Sequence, residues 1–251
     1  MRIALVPLLI ELGNPDKNLK NLALYTSKAA FHNADVICLP EMSDIGDDQD
    51  GRFFYLADNI PGKYTKKLSL LAAKHRIYLI TGLLERSEDG YYSSGVLIAP
   101  SGEILLKHRQ IHNGYPYQAG LNFSVADTPI WRVSIGICGD VFEEDFIQKQ
   151  QALNADFIFV PMDFCGDDNE LGKISADAPP AFLKEWKTRF SDITAETHST
   201  LFAVNALTSD TEKNCGACGG AFVYKGGSAL FEGKICSEQV YFVDLPHAEH
   251  L

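Results

Sequence analysis

Short apolar runs alternate along the chain with longer segments in which apolar residues recur every three or four positions. Six runs have the length and composition of strands covered on both faces: Ile3–Pro7, Val36–Leu39, Tyr78–Gly82, Trp131–Cys138, Phe157–Val160 and Leu201–Val204. Four segments have helical spacing: 19–30, 64–72, 146–153 and 182–198. Strands that alternate with helices predict a layered α/β domain.

Two further stretches have the turn chemistry of β-hairpins. Pro100-Ser101-Gly102 separates the apolar segment 91–99 from 104–107, and Lys225-Gly226-Gly227 separates 221–224 from 228–231. No Pro- or Ser-rich linker and no internal repeat divides the 251 residues. The sequence therefore predicts a single domain over residues 1–251.

The charge balance excludes two classes of partner. The chain has 22 Lys and Arg against 33 Asp and Glu, a net charge of −11. Nucleic acid and anionic membranes attract a positive surface, so neither is expected as a partner.

The apolar stretch Ile3–Ile10 is far shorter than the roughly twenty residues of a transmembrane helix. The segment after it offers no small-residue cleavage site, so a signal peptide is not expected either.

Cysteine usage indicates a reducing compartment. Six cysteines in 251 residues are too sparse for a disulfide framework. Cys38 and Cys138 end apolar runs, where a reduced thiol packs as a small hydrophobe. The cytoplasm is the expected location.

Two of the buried runs lead directly into reactive side chains. The run 36–39 is followed by Pro40-Glu41, and the run 131–138 ends in Cys138-Gly139-Asp140. A carboxylate and a thiol delivered by separate strands have the chemistry of a general base and a nucleophile. A helix expected over 143–153 would favour the thiolate through its dipole, and the N–H after the thiol would bind an oxyanion. Spacing alone favours the simpler alternative of a buried Cys138 and a solvated Glu41.

Seven segments, two of which contain Glu41 and Cys138, resemble segments of the nitrilase superfamily of carbon–nitrogen hydrolases. They occur in the same order as in that family and extend over nearly the whole chain. They are residues 3–7, 34–41, 102–112, 136–140, 154–161, 204–206 and 227–229. The resemblance implies a four-layer α-β-β-α sandwich, which is an α/β fold, and no cofactor or metal. It also implies that Glu41 is the general base, that Cys138 is the nucleophile that forms a thioester, and that the Gly139 N–H assists the oxyanion.

The chain departs from the family where a lysine is expected to stabilise the oxyanion. The family motif Tyr-Arg-Lys-x-His corresponds here to residues 108–112, which places Gln110 at the lysine position. Asn113 stands nearest to a second glutamate that many members carry. Losing one oxyanion donor typically costs about 100- to 1,000-fold in rate. Lys107 and Arg109 are at odd offsets from Gln110, so we expect them on the opposite face of the strand.

Two functions remain open on this evidence. One is hydrolysis of a non-peptide amide or nitrile through a Cys138 thioester, with Gln110 in the oxyanion position. The other is a degenerate member that binds a small amide, an acid or a partner protein without turnover. In either case the resemblance places Asn113, Gly139, Asp163 and Phe164 at the substrate.

The resemblance further implies a homodimer or larger oligomer. In the family, the helices that correspond to 146–153 and 182–198 pack against a second subunit. The apolar residues of these segments, among them Phe146, Ile147, Trp186, Phe190 and Ile193, exceed what one buried face requires.

Two other patterns are weaker. Cys215-Gly-Ala-Cys218 has the spacing of half a zinc site, but no second such pair or H-x3-H follows. The acidic residues Asp44, Asp47, Asp48 and Asp50 lack the ligand order of a calcium loop, so a solvated loop is favoured over a cation site.

Overall fold

The structure is a computed structural model that describes residues 1–114, 116–164, 180–208 and 217–246. Its strands, in chain order, are β1 (Arg2–Leu5), β2 (Leu9–Ile10), β3 (Val36–Cys38), β4 (Tyr78–Ser87), β5 (Gly90–Ile98), β6 (Ile104–Arg109), β7 (Val125–Asp127), β8 (Arg132–Ile135), β9 (Phe157–Met162), β10 (Thr200–Asn205), β11 (Leu207–Thr208), β12 (Ala221–Lys225), β13 (Ser228–Glu232) and β14 (Tyr241–Asp244). The helices are α1 (Pro15–Phe31), α2 (Lys63–His75), α3 (Phe146–Leu153) and α4 (Phe182–Thr197), and 3₁₀ turns cover Phe54–Leu56 and Cys138–Phe142.

These strands form two six-stranded sheets with matching layouts. The first sheet has the order β14-β1-β3-β4-β5-β6 and the second has the order β13-β12-β10-β9-β8-β7. In each sheet the three central strands run parallel, β1, β3 and β4 in one and β10, β9 and β8 in the other. Antiparallel strands flank them on both sides, and the short strands β2 and β11 pair separately.

The side chains of the first sheet divide between two cores. In β1, Ile3 and Leu5 pack with the second sheet, whereas Ala4 packs with α1 and α2. This alternation is the period of two that a strand buried on both faces requires. Helix α4 packs on β10, β12 and β13 of the second sheet, and α3 packs on α4. The layers are therefore helices, sheet, sheet and helices, which confirms the predicted α/β sandwich.

The two sheets approach closely at Gly95, in the middle of β5. A Cβ atom at Gly95 would lie 2.8 Å from Cγ2 of Ile135, on β8 of the other sheet. That separation is too short for a real contact, so a side chain at this position would push the sheets apart.

Each of the six predicted strands is present, and both hairpins form, as β5–β6 and β12–β13. The helix expected over 143–153 begins only at Phe146. Cys138 instead opens the 3₁₀ turn, so the thiol does not lie at the N-terminus of an α-helix and the expected dipole effect on it is absent.

The apolar residues that supported the oligomer prediction are used inside the chain. Phe146, Trp186, Phe190 and Ile193 are buried in the core between the second sheet and its helices, and Ile147 packs against that core. Their number therefore gives no argument for a second subunit, and the homodimer stays a prediction. Within the described ranges, none of the helices has the length and apolar composition needed to cross a membrane.

Candidate active site

Glu41 and Cys138 meet between the two sheets. Glu41 lies two residues beyond Leu39, past the end of β3 in the first sheet, and Cys138 follows β8 in the second. Their side chains are close enough for each to shift the pKa of the other, although they come from different layers of the sandwich. Both residues are buried, with exposed fractions of 6% and 9%.

Two hydrogen-bond donors and the backbone conformation of Cys138 fix the geometry of this pair. The hydroxyl of Ser93 donates to Oε1 of Glu41 at 2.5 Å, and the backbone N–H of Asp163 donates to Oε2 at 3.1 Å. The same N–H also lies near the Cys138 sulfur and acts to lower the pKa of the thiol. Cys138 itself has a φ of 43°, the left-handed region that non-glycine residues rarely occupy and that is concentrated at functional sites.

Burial keeps protons on both reactive groups. It raises the pKa of Glu41 to about 8, and the nearby Asp47 acts in the same direction. Burial also raises the pKa of the Cys138 thiol well above its usual range, with Glu41 as the next contribution. The thiol is therefore neutral at rest, and it must lose its proton to a base in order to attack.

Gln110 joins the pair just beyond the end of β6. Its backbone N–H donates to the carbonyl of Ser93 at 2.8 Å, which places it beside the residue that holds Glu41. Its side-chain Nε2 donates to the carbonyl of Ile137 at 3.2 Å, one residue before the nucleophile. Its Oε1 accepts a hydrogen bond from Asn113 at 2.9 Å. The structure thus brings Glu41, Gln110, Asn113 and Cys138 together.

Lys107 and Arg109 lie on the other face of β6, as their parity predicts. Both form ion pairs with the buried carboxylate of Glu85, each at 2.8 Å. Neither side chain replaces the charge that a lysine would carry at Gln110.

His112 lies over the backbone beside the nucleophile. A Cβ atom at Gly139 would be 2.6 Å from Cδ2 of His112, so a side chain at this position would collide with the imidazole. The Nδ1 atom of His112 contacts Oε1 of Glu143 at 2.7 Å. The Gly139 N–H belongs to the first residues of the 3₁₀ turn, which have no partner within the turn. The His112 ring thus lies next to Gly139, whose backbone N–H has no partner within the turn.

The two remaining predicted residues, Asp163 and Phe164, have different surroundings. The Asp163 side chain is buried beside Asp47 and Glu41; burial and these two charges raise its pKa well above the usual range. Oδ2 of Asp163 accepts the Asp47 N–H at 3.2 Å, whereas Oδ1 has no hydrogen-bond partner among the described residues. The ring of Phe164 packs instead against Phe182 and Trp186, next to α4.

Sequence reasoning missed two residues that organise the site, Ser93 and Asp140. Ser93 and Ser94 are consecutive buried polar residues in an otherwise apolar hairpin strand, and they face Glu41 and Glu85 respectively. A buried hydroxyl requires a partner, so this pair of serines was the available signal. Asp140 follows the nucleophile by two positions and accepts hydrogen bonds from four groups.

The acidic run is not a solvated loop. Asp44 and Asp48 are buried, and their carboxylates accept backbone N–H groups of Leu84 and Phe53. Of the C-x2-C pair, Cys215 lies outside the described residues, whereas Cys218 is described and buried. No set of three His, Cys, Asp or Glu side chains within the described ranges is arranged to hold a metal ion.

Comparisons with known proteins identify relatives of this chain. A sequence profile of carbon–nitrogen hydrolases matches residues 2–177. The chain is similar to an omega-amidase of Xenopus laevis, at 32% identity over 155 residues that cover 56% of this chain and 55% of the relative. It is also similar to a nitrilase of Pyrococcus abyssi, at 30% identity over 169 residues and 64% of each chain. The chain thus spans about half the length of the omega-amidase, and somewhat more of the nitrilase.

The fold has close solved counterparts. A carbon–nitrogen hydrolase from Helicobacter pylori superposes with a TM-score of 0.84 at 18% identity, covering 96% of this chain and 87% of that chain. At this level of identity the likeness concerns the fold.

Proposed function

We propose that this chain, which belongs to the carbon–nitrogen hydrolase family, hydrolyses a small non-peptide amide or nitrile through a thioester on Cys138. The observation that carries the proposal is the proximity of the Cys138 thiol and the Glu41 carboxyl, which are buried between the two sheets and shift each other's pKa. A neutral thiol requires a base in contact with it, and Glu41 is that base.

For an amide, the first half of the reaction transfers the acyl group to the enzyme. The ionised form of Glu41 removes the proton from Cys138 as the sulfur attacks the carbonyl carbon. The carbonyl π electrons move to oxygen and form a tetrahedral oxyanion. The intermediate collapses by breaking the C–N bond, and Glu41 returns the proton to the departing nitrogen. Ammonia or an amine leaves, and the acyl group remains on sulfur as a thioester.

The second half repeats the same proton movements with water. Glu41 takes a proton from a water molecule as its oxygen attacks the thioester carbon, and collapse breaks the C–S bond. The sulfur recovers the proton from Glu41, and a carboxylic acid is released. One carboxyl serves both half-reactions because a pKa of about 8 lets it give and take a proton near neutral pH.

Gln110 and Gly139 are the proposed donors to the oxyanion. The Gln110 amide carries two N–H groups, and its bond to the Ile137 carbonyl uses one of them. We assign the other, together with the Gly139 N–H, to the oxyanion. Asn113 holds the Gln110 oxygen, which fixes the direction of its NH₂ group. Asp163 forms the wall beside Glu41, and Phe164 supports that wall from the side of α4.

The second candidate function is binding of a small amide, an acid or a partner protein without turnover. The observation that favours it is the neutral amide of Gln110 where the family has a lysine. Without that charge, the oxyanion and the attacking sulfur both lose electrostatic stabilisation.

Ammonia release from a panel of small amides and nitriles distinguishes the two functions. We expect turnover by the wild type, none by Cys138→Ala, and a loss of at least about 100-fold in Glu41→Gln, because general-base catalysis contributes about that much. Turnover that survives Cys138→Ala would overturn the hydrolase proposal. Saturable binding of an amide, measured by calorimetry without ammonia release, would establish the second function.

We also propose that the protein is a cytoplasmic homodimer and that each chain is a single catalytic domain over residues 1–251. The sparse cysteines support a reducing compartment, and the four described cysteines carry free thiols. The proposed partner is an amide or nitrile substrate of low molecular weight, and no resident metal or cofactor takes part in the steps above.

A further inference from the structure

A single buried carboxylate, that of Asp140, connects the two segments that carry Gln110 and Cys138. Its Oδ1 accepts the backbone N–H groups of Ile111 at 2.7 Å and of His112 at 2.9 Å. Its Oδ2 accepts the N–H of Ile137 at 2.8 Å and contacts Nε2 of His108 at 2.7 Å. The side chain is fully buried, and each of its oxygens has two partners.

The donors belong to opposite sheets. Ile111 and His112 directly follow Gln110 in the segment that leaves β6 of the first sheet. Ile137 directly precedes Cys138 in the segment that leaves β8 of the second sheet. The carbonyl of Ile137 accepts both the Asp140 N–H, at 2.8 Å, and the side chain of Gln110, at 3.2 Å. Asp140 thus bonds to the two residues that follow Gln110 and to the residue that precedes Cys138.

We propose that Asp140 is a positioning residue for the reaction described above, and that it holds the Gln110 amide in register with the Cys138 sulfur. It acts through three backbone N–H groups, and its own carboxylate is occupied by protein donors. The inference rests on the proposed hydrolase function for its kinetic consequence, whereas its structural content can be tested without turnover.

The chemistry of the site requires a carboxylate at this position. Both oxygens face only donors, so a side chain that accepts at both ends is needed. An asparagine that kept the bonds to Ile111 and His112 would direct its NH₂ group at the N–H of Ile137, and two donors would then oppose each other. The ring of His108 is fixed from behind by stacking on Phe123, with centroids 5.0 Å apart.

A double-mutant cycle tests the coupling. The variants are Asp140→Asn, Gln110→Ala and the two together, and the readouts are kcat and KM for ammonia release from the best amide. If Asp140 acts by placing Gln110, Asp140→Asn lowers kcat by at least about tenfold in the wild type. In the Gln110→Ala background it costs less than about threefold, because the interaction it supports is already gone. Equal losses in both backgrounds would overturn the proposal.

Glu85→Gln is the matched control for stability. Glu85 is also a buried carboxylate that anchors β6, but it binds Lys107 and Arg109 on the opposite face of the strand. We expect it to lower the midpoint of thermal unfolding to a similar extent as Asp140→Asn while kcat changes less than about threefold. A kcat loss in Glu85→Gln equal to that of Asp140→Asn would show that Asp140 has only a structural role.

Hydrogen exchange gives a readout that does not depend on activity. Asp140→Asn should speed the exchange of amides in the peptides covering 108–114 and 134–139, whereas Glu85→Gln should leave the second peptide unchanged. Unaltered exchange in Asp140→Asn would overturn the positioning role. If the wild type releases no ammonia, the hydrolase proposal fails and this measurement alone decides the role of Asp140.

A milder variant covers the case in which Asp140→Asn does not fold. His108→Phe removes one of the four contacts of Asp140 and retains a ring against Phe123. We expect His108→Phe to lower kcat less in the Gln110→Ala background than in the wild type. An equal loss of kcat in both backgrounds would overturn the proposal.

Discussion

The hydroxyl of Ser93 donates to Oε1 of Glu41 over 2.5 Å, between the layers of the sandwich. This hydrogen bond stabilises the ionised carboxylate and therefore lowers the Glu41 pKa, in opposition to burial. The Glu41 pKa near 8 is thus a balance, in which burial is the largest effect that raises it and the Ser93 hydrogen bond is the largest effect that lowers it.

Ser93→Ala should shift the pH profile of the reaction to higher pH. A hydrogen bond to a charged group contributes about 1.5 to 3 kcal/mol, which corresponds to roughly one to two pH units. We expect the midpoint of kcat/KM against pH to rise by about that amount. Ser94→Ala is the control, because Ser94 bonds to Glu85 on the opposite face and should leave the midpoint unchanged. A common shift in both variants would contradict the assignment.

In the wild type, kcat/KM should increase with pH through about 8 and then level off. The active form of Glu41 is the carboxylate, and the fraction ionised rises as pH passes the pKa of about 8. Measurement of ammonia release between pH 6 and 10 would show the profile. Activity that is highest at pH 6 and falls toward pH 8 would exclude Glu41 as the base.

Gln110→Lys should raise amidase activity. A lysine would restore positive charge beside the sulfur and the developing oxyanion, and the gain is at most about 100- to 1,000-fold. The same charge would stabilise the ionised Glu41, so the midpoint of the pH profile should move to lower pH. Adding Asn113→Glu tests whether the second amide also limits the gain.

The contrary outcome for this substitution is equally informative. If the wild type already turns over at about 1 to 1,000 per second and Gln110→Lys slows it, Gln110 is a working part of an altered site.

The stability of the fold should fall as pH rises from 5.5 to 9. Burial raises the pKa of Glu41 from 4.5 to about 8 and that of Asp44 from 3.8 to about 7. The folded state therefore binds these protons more tightly than the unfolded chain, so their contribution is complete below about pH 4 and is lost as pH rises through 7 and 8. Thermal unfolding followed by circular dichroism measures this, and Glu41→Gln should flatten the dependence. A midpoint that rises with pH would contradict it.

The protein should be a dimer or larger in solution, with an interface that weakens as salt is added. The apolar residues of α4 are buried within the chain, so the surface left for a partner is polar and includes Lys184, Glu185 and Asp192. Contacts between exposed charges are screened by salt. Light scattering at micromolar protein concentration, in 50 mM and in 1 M salt, gives the mass. A monomer at both salt concentrations would contradict the prediction.

The six parallel strands in the middle of the two sheets were predictable because burial on both faces leaves a simple signal, a continuous apolar run. The meeting of Glu41 and Cys138 was reachable only through the family resemblance, since no local pattern relates two residues from different sheets. The helix start was misplaced because Glu143 and its neighbours have helical composition but lie in the stretch that links the Cys138 turn to Phe146.

The protonation of the site could not be predicted from sequence. Helix position suggested a thiol with a lowered pKa, whereas burial and the neighbouring carboxyl raise it. Burial depends on how completely the two sheets cover Cys138, which is a property of the packed structure. Asp140 was visible as part of a motif, but its four partners come from two separate parts of the chain, residues 108–112 and Ile137.

The close approach at Gly95 has a consequence for how the protein loses activity. Each sheet contributes half of the reacting pair, so neither sheet, even fully formed, contains an active centre by itself. A state in which the sheets have slid or separated by about an ångström would retain its secondary structure while the proton could no longer pass from sulfur to carboxylate. Inactivation on heating should therefore precede the loss of secondary structure, and turnover would report the spacing between the sheets more sensitively than circular dichroism does.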